Sequence, residues 1–221
     1  VGAHEVVRPF LLQMVARSVR IDAMIGNVGC IKMTFISTKK ITSAEFWDFV
    51  NLPENSELSF ERLNGEIVEK MASNPLYSEI AGIFVQHIRN FLDAKGHFAR
   101  VSTEGGGYDI TDDSTFAPDV AVILKSRQSK FPDEGFNPLP PDFAIEVISP
   151  SDLKNPDRIR TKLNIYLRAK IPLLWLVFLK RQEIEIYAHG AYLKTATIED
   201  ILDGGDVLPG FTLAAKIIFE N

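Results

Sequence analysis

Asp119 and Glu146 each sit inside an otherwise apolar, strand-like run, FAPDVAVIL over 116–124 and DFAIEVIS over 142–149. Burying an ionised carboxylate without a partner costs several kcal/mol, so something must compensate both acids. A divalent cation held between two neighbouring strands would do so, because hard cations prefer carboxylate oxygens and then polarise phosphate or activate water. With the backbone carbonyl of Val147, waters and a substrate phosphate oxygen, the two acids can complete an octahedral magnesium site, for which manganese is a substitute. Lys162 lies on the helix expected after Glu146, where its charge can meet developing negative charge or orient the attacking water. Tyr166 follows one turn later on the same face and reads as a packing residue with a polar tip. The chemistry this pattern favours is metal-assisted in-line hydrolysis of a phosphate ester.

These residues need adjacent strands and a helix to hold them. Thr42-Ser43-Ala44-Glu45 is a capping box and predicts a short helix to about residue 50. LSFERL (58–63) and EIVEKM (66–71) alternate around Asn64-Gly65, a strong hairpin signal. Apolar residues Ile80, Ile83, Phe84, Ile88 and Phe91 at helical spacing predict a helix over 78–93, with Gly96 after its end. Strands are expected at 97–103, 116–124 and 142–149, with Pro118 at a strand start, edge or bulge. Asn155-Pro156 opens a second helix to about residue 169. The runs 172–178, 183–188 and 192–197 complete a mixed sheet, with His189-Gly190 as the last hairpin turn. Gly105-Gly106-Gly107 lacks the lysine-serine ending of a phosphate loop and reads as a sharp turn or bulge. Alternation puts Ile148 on the same face as Glu146, and Asp119 meets Glu146 if their strands are neighbours.

Composition bounds the classes. A chain of 221 residues with 46% hydrophobic content can bury a full core, read here as one α/β domain over 36–221. Residues 1–35 carry no pattern that joins the rest; an upstream extension, a poorly ordered arm and a targeting peptide are the alternatives. The single cysteine, Cys30, excludes an internal disulfide framework and fits the cytoplasm. No apolar stretch reaches the roughly 18 to 20 residues needed to span a bilayer, so no membrane role is expected. The net charge of −5 argues against broad, salt-driven nucleic-acid affinity. From Lys154 to Arg181, however, eight basic residues face one acid, which suits either a local polyanion or a solvated helix face.

Pro118-Asp119, the segment Glu146-Val147-Ile148-Ser149-Pro150-Ser151-Asp152, Lys162, Tyr166 and Leu174-Trp175-Leu176-Val177 together resemble the Uma-type restriction endonucleases, a branch of the PD-(D/E)xK nuclease superfamily. The likeness runs from the helix near residue 41 to Gly-Gly-Asp-Val-Leu-Pro-Gly-Phe (204–211). It implies a restriction-endonuclease-like α/β core with a mixed β-sheet flanked by helices, magnesium dependence, hydrolysis of DNA phosphodiesters and, frequently, a homodimer. Asp119 and Glu146 would be the metal ligands and Lys162 the catalytic lysine.

Three positions depart from the family pattern. The superfamily lysine two residues after the glutamate is Ile148 here, so its role must pass to Lys162 or Lys154. Tyr77 stands where the family usually has histidine, and Phe178 where it usually has aspartate. Glu66 and Glu79 are candidates for a third carboxylate, and His87 reads as a core or edge histidine. The 125–141 loop, with Phe131 and Phe136, is expected either to touch substrate or simply to cover the domain. Two other readings stand beside the nuclease: a catalytically inactive nucleic-acid-binding or interaction module on the same fold, and a hydrolase of a small phosphorylated substrate.

Overall fold

The computed structural model describes residues 19–21, 35–37, 40–70 and 74–220. Most of the expected N-terminal extension lies outside the described residues; within it, β1 (Val19–Ile21) pairs antiparallel with β2 (Phe35–Ser37). The capping box starts α1 (Ser43–Val50): Thr42 accepts the Glu45 N–H at 3.2 Å, and its own N–H donates to Glu45 at 2.9 Å. Strands β3 (Ser59–Leu63) and β4 (Glu66–Lys70) form the expected hairpin. Asn64 and Gly65 adopt φ values of 53° and 85°, the left-handed pair such a two-residue turn needs. Helix α2 (Pro75–Ala94) starts three residues earlier than periodicity suggests, because Asn74 caps the Leu76 N–H and Pro75 occupies the first turn.

The run 116–124 is not one strand. After β5 (Ala99–Thr103) and β6 (Tyr108–Thr111), residues Ser114–Phe116 form β7 and Val120–Leu124 form β8. Pro118 lies in the break, where its missing N–H costs no ladder bond. Gly106 closes the β5–β6 turn by donating to the Thr103 carbonyl at 2.9 Å. Strand β9 (Phe143–Val147) leads into a short helix that the sequence reading lacked, α3 (Pro150–Leu153), started by Ser149 and Asp152 as a second capping box. Helix α4 (Pro156–Arg168) follows as expected, although the Asn155 side chain makes no capping bond. Then come β10 (Leu173–Phe178), β11 (Glu183–Ala188), β12 (Ala191–Thr197), the small pair β13 (Ile201–Asp203) and β14 (Thr212–Ala214), and α5 (Lys216–Phe219).

A six-stranded mixed sheet, ordered β12-β11-β10-β9-β8-β5, forms the centre. Its one parallel pair, β9 with β10, is joined through α4, the crossover that parallel neighbours require. The hairpin belongs instead to a separate four-stranded sheet, β4-β3-β7-β6. Alternation along β9 divides two cores. Phe143, Ile145 and Val147 join Trp175 and the α2 residues Ile80, Phe84 and Ile88, while Ala144 and Ile148 join Ala121, Leu63, Phe116 and the α4 residues Ile165 and Tyr166. Glu146 therefore emerges between the central sheet, α4 and the second sheet. Among the described residues no helix is long and apolar enough to cross a membrane.

Candidate active site

Asp119 stands immediately before β8, and β8 pairs antiparallel with β9 in the register Val120↔Ile145. Carried one residue further, that register sets Asp119 opposite Glu146. Asp119 Oδ2 accepts the Val147 N–H at 2.7 Å, which ties the carboxylate to the end of β9. Burial, and after it the charge of Glu146, pushes the Asp119 carboxyl up to about 7; the Val147 N–H, Lys162 and Lys70 oppose the rise.

Glu146 is nearly enclosed, with 8% of its surface exposed. Its Oε1 accepts the Tyr166 hydroxyl at 2.6 Å and lies 2.8 Å from Lys162 Nζ. Both partners come from α4, where a spacing of four residues puts them on one face. Burial raises the Tyr166 phenol, and the adjacent Glu146 charge raises it further, so this hydroxyl remains a donor. Burial alone would lower the Lys162 ammonium, but Glu146 and Glu61 outweigh it and hold the group above its ordinary range. The Phe116 ring lies 4.8 Å from Nζ and closes the remaining side. Among the described residues, no hydrogen bond reaches Asp119 Oδ1 or Glu146 Oε2. Two carboxylates that each keep an oxygen in reserve, at the adjoining ends of paired strands, suit a hard cation that retains most of its waters.

A family model described as "Putative restriction endonuclease", Uma2, matches residues 46–216. The chain belongs to the Uma2 family. The fold of this Uma2 member is also similar to a solved structure from Anabaena variabilis, described as a putative nuclease belonging to DUF820, with a TM-score of 0.64 and 22% identity over 81% of this chain and 98% of the other. No curated protein matches the sequence. The architecture is thus the restriction-endonuclease-like α/β fold, with a mixed sheet flanked by helices.

In this Uma2 chain the third acid near the site is Glu61, which the sequence reading passed over in favour of Glu66 and Glu79. Both of those are exposed. Glu61 on β3 has 1% of its surface exposed; Arg158 donates to its Oε2 at 2.8 Å, and Lys162 Nζ lies 3.3 Å from its Oε1. Burial works to raise the Glu61 carboxyl, but Lys162 and Arg158 overcome it and bring it down to about 2. A signal was present in the sequence: SFERL puts Glu61 on the same strand face as Leu63, an apolar core residue, so the acid had to meet cations.

Other expected residues are placed differently. Ile148 shares the Glu146 side of β9 but is buried apolar packing, and Lys154 is exposed. The arginines of the basic segment are engaged: Arg158 turns inward to Glu61, Arg168 bonds Asn64 at 2.9 Å, Arg160 pairs with Asp157 at 3.0 Å, and Arg181 pairs with Glu183 and Glu185, whereas Lys154, Lys170 and Lys180 are exposed. Tyr77 is buried at the start of α2, His87 is half-buried, and Phe178 lies under the Arg181 guanidinium, 3.7 Å from its ring centroid. The 125–141 loop is pinned inward. Phe136 stacks on Phe46 at 5.1 Å and Phe131 meets Tyr108 edge-on at 6.3 Å, which favours its covering role.

Proposed function

We propose that this protein is a magnesium-dependent endonuclease of the PD-(D/E)xK type that hydrolyses DNA phosphodiester bonds. The observation that carries the reading is the meeting of Asp119 and Glu146 at the ends of β8 and β9, with the Lys162 ammonium on Glu146. Membership of a family described as restriction endonucleases supports DNA as the substrate. Asp119, Glu146 and the Val147 carbonyl would hold the ion, with manganese as a substitute; when bound it would polarise the phosphate and activate water. Val147 fixes the orientation of Asp119 through its N–H, and Tyr166 fixes that of Glu146. Lys162 contributes a positive charge directed at the same carboxylate, and α4 supplies it in place of the strand lysine that Ile148 has replaced. Cleavage of supercoiled plasmid with magnesium, manganese or chelator tests the reading, with Asp119→Ala and Glu146→Ala as controls.

One observation favours a second reading, an inactive binding or interaction module. Lys162 already neutralises Glu146, and with Arg158 it neutralises Glu61, so two of the three acids are compensated without an ion. A protein that binds no manganese and cuts no DNA, yet retains short duplexes, would fit that module.

A further inference from the structure

Lys162 Nζ lies between two carboxylates from different sheets, 2.8 Å from Glu146 Oε1 and 3.3 Å from Glu61 Oε1. The geometry points to Glu61 as a positioning residue that receives the Lys162 ammonium when Glu146 shares its charge with a divalent cation. The inference rests on the metal-dependent reading above and adds a residue to it.

Glu146 Oε1 already accepts the Tyr166 hydroxyl, so it is a crowded acceptor. If Lys162 kept its full contact there while Glu146 engaged a cation, two positive groups would face each other across one carboxylate. Glu61 offers the ammonium another place less than a side-chain rotation away. Its position cannot follow the lysine, because Arg158 fixes Oε2 at 2.8 Å and also donates to the Glu69 carbonyl at 3.4 Å. The lysine cannot leave for solvent easily either, since its side chain is 14% exposed and packs over Phe116. Direct ligation by Glu61 fits less well. Both its oxygens face cationic side chains, and among the described residues no three His, Cys, Asp or Glu side chains gather closely enough to hold a metal.

Charge counting agrees. Asp119, Glu146 and Glu61 set against Lys162 and Arg158 leave one negative charge when all are ionised. Neutralising Glu61 removes that excess and, among the described residues, leaves Glu146 as the carboxylate in ion-pair contact with Lys162, so the lysine then competes with the cation for it.

Calorimetric titration of the full chain with Mn²⁺ tests this without relying on turnover, in a cycle of parent, Glu61→Gln, Lys162→Gln and the double variant. Circular dichroism would check that each is folded. Glu61→Gln should weaken Mn²⁺ binding about tenfold when Lys162 is present and less than about twofold when it is glutamine, since residues acting through one another are non-additive. Equal weakening in both backgrounds would make Glu61 act on the ion directly and overturn the inference, as would no weakening in either. A parent that binds no Mn²⁺ would overturn both this inference and the metal-dependent reading. If Lys162→Gln does not fold, a crystal structure of the parent soaked with Mn²⁺ decides. Nζ nearer to Glu61 than to Glu146 supports the inference, and Nζ still on Glu146 overturns it.

Discussion

Lys162 reaches from α4 to place Nζ 2.8 Å from Glu146 Oε1, so the cationic partner of the strand acid comes from the helix that follows the strand. The strand position two residues after Glu146 is filled by buried Ile148. A lysine on a crossover helix approaches the carboxylate from above the sheet, which frees Ile148 to pack against the second core. The cation beside Glu146 is thus delivered by the helix and not by the strand.

Removing this lysine should cost stability before it costs anything else. Lys162→Gln leaves Glu61 with Arg158 alone and Glu146 with Tyr166 alone, and breaking a buried pair costs about 3 to 5 kcal/mol. The slight exposure of the pair argues for the lower end, a fall of roughly 6 to 12 °C in Tm for a domain of this size. Adding Glu61→Gln should deepen the loss, because Arg158 then loses its buried carboxylate partner. Differential scanning calorimetry would show both effects; a single variant as stable as the parent would mean that the pair is not holding α4 to the sheet.

Tyr166→Phe tests the orientation of Glu146 with little change in volume. The lost hydrogen bond to a charged acceptor should cost about 1.5 to 3 kcal/mol, and a less constrained carboxylate should lower kcat about three- to tenfold with KM for DNA nearly unchanged. An unchanged kcat would make Tyr166 a packing residue only.

The pH dependence follows from Asp119, whose carboxyl lies at about 7 in the fold against an ordinary value of 3.8. Between those values the folded protein holds a proton that the unfolded chain has released, so acidification from pH 8 towards 4 favours the metal-free fold through this group. Mn²⁺ must displace that same proton. Its affinity should therefore fall about tenfold for each unit below pH 7 and level off above it. Titrations at pH 6, 7 and 8 would reveal the slope, and equal affinity at all three would contradict the assignment of Asp119 as ligand.

Gly65→Ala probes the hairpin that carries Glu61. Gly65 has φ +85°, and an added Cβ would meet Lys40 Cβ at 2.7 Å. A loss of about 1 to 2 kcal/mol in urea unfolding is expected. Stability equal to the parent would show that Lys40 moves aside and the turn tolerates the side chain.

Much of this was legible in the sequence because local signals agreed with the global fold. Thr42 and Glu45 announced α1, Asn64-Gly65 announced the hairpin, and the alternation of FAIEVI already put Glu146 and Ile148 on one face. The division of 116–124 into two strands was missed, because Phe116 and Val120 are equally apolar and only pairing shows that they belong to different sheets. Glu61 escaped for a related reason. Its partners Arg158 and Lys162 lie about a hundred positions away, so the alternation of SFERL marks the face of Glu61 but not the cations that meet it. Composition could not separate the two readings of the basic segment, since it counts the arginines but cannot say that Arg158 turns inward and Arg168 turns to Asn64.

Plasmid cleavage by the full chain with Mg²⁺, Mn²⁺ or chelator, run beside Asp119→Ala and Glu146→Ala, decides whether the two carboxylates form a metal-dependent nuclease site. Cleavage should require the metal and be lost in both variants. Cleavage that survives both substitutions, or a folded parent that cuts no DNA with either metal, would contradict it.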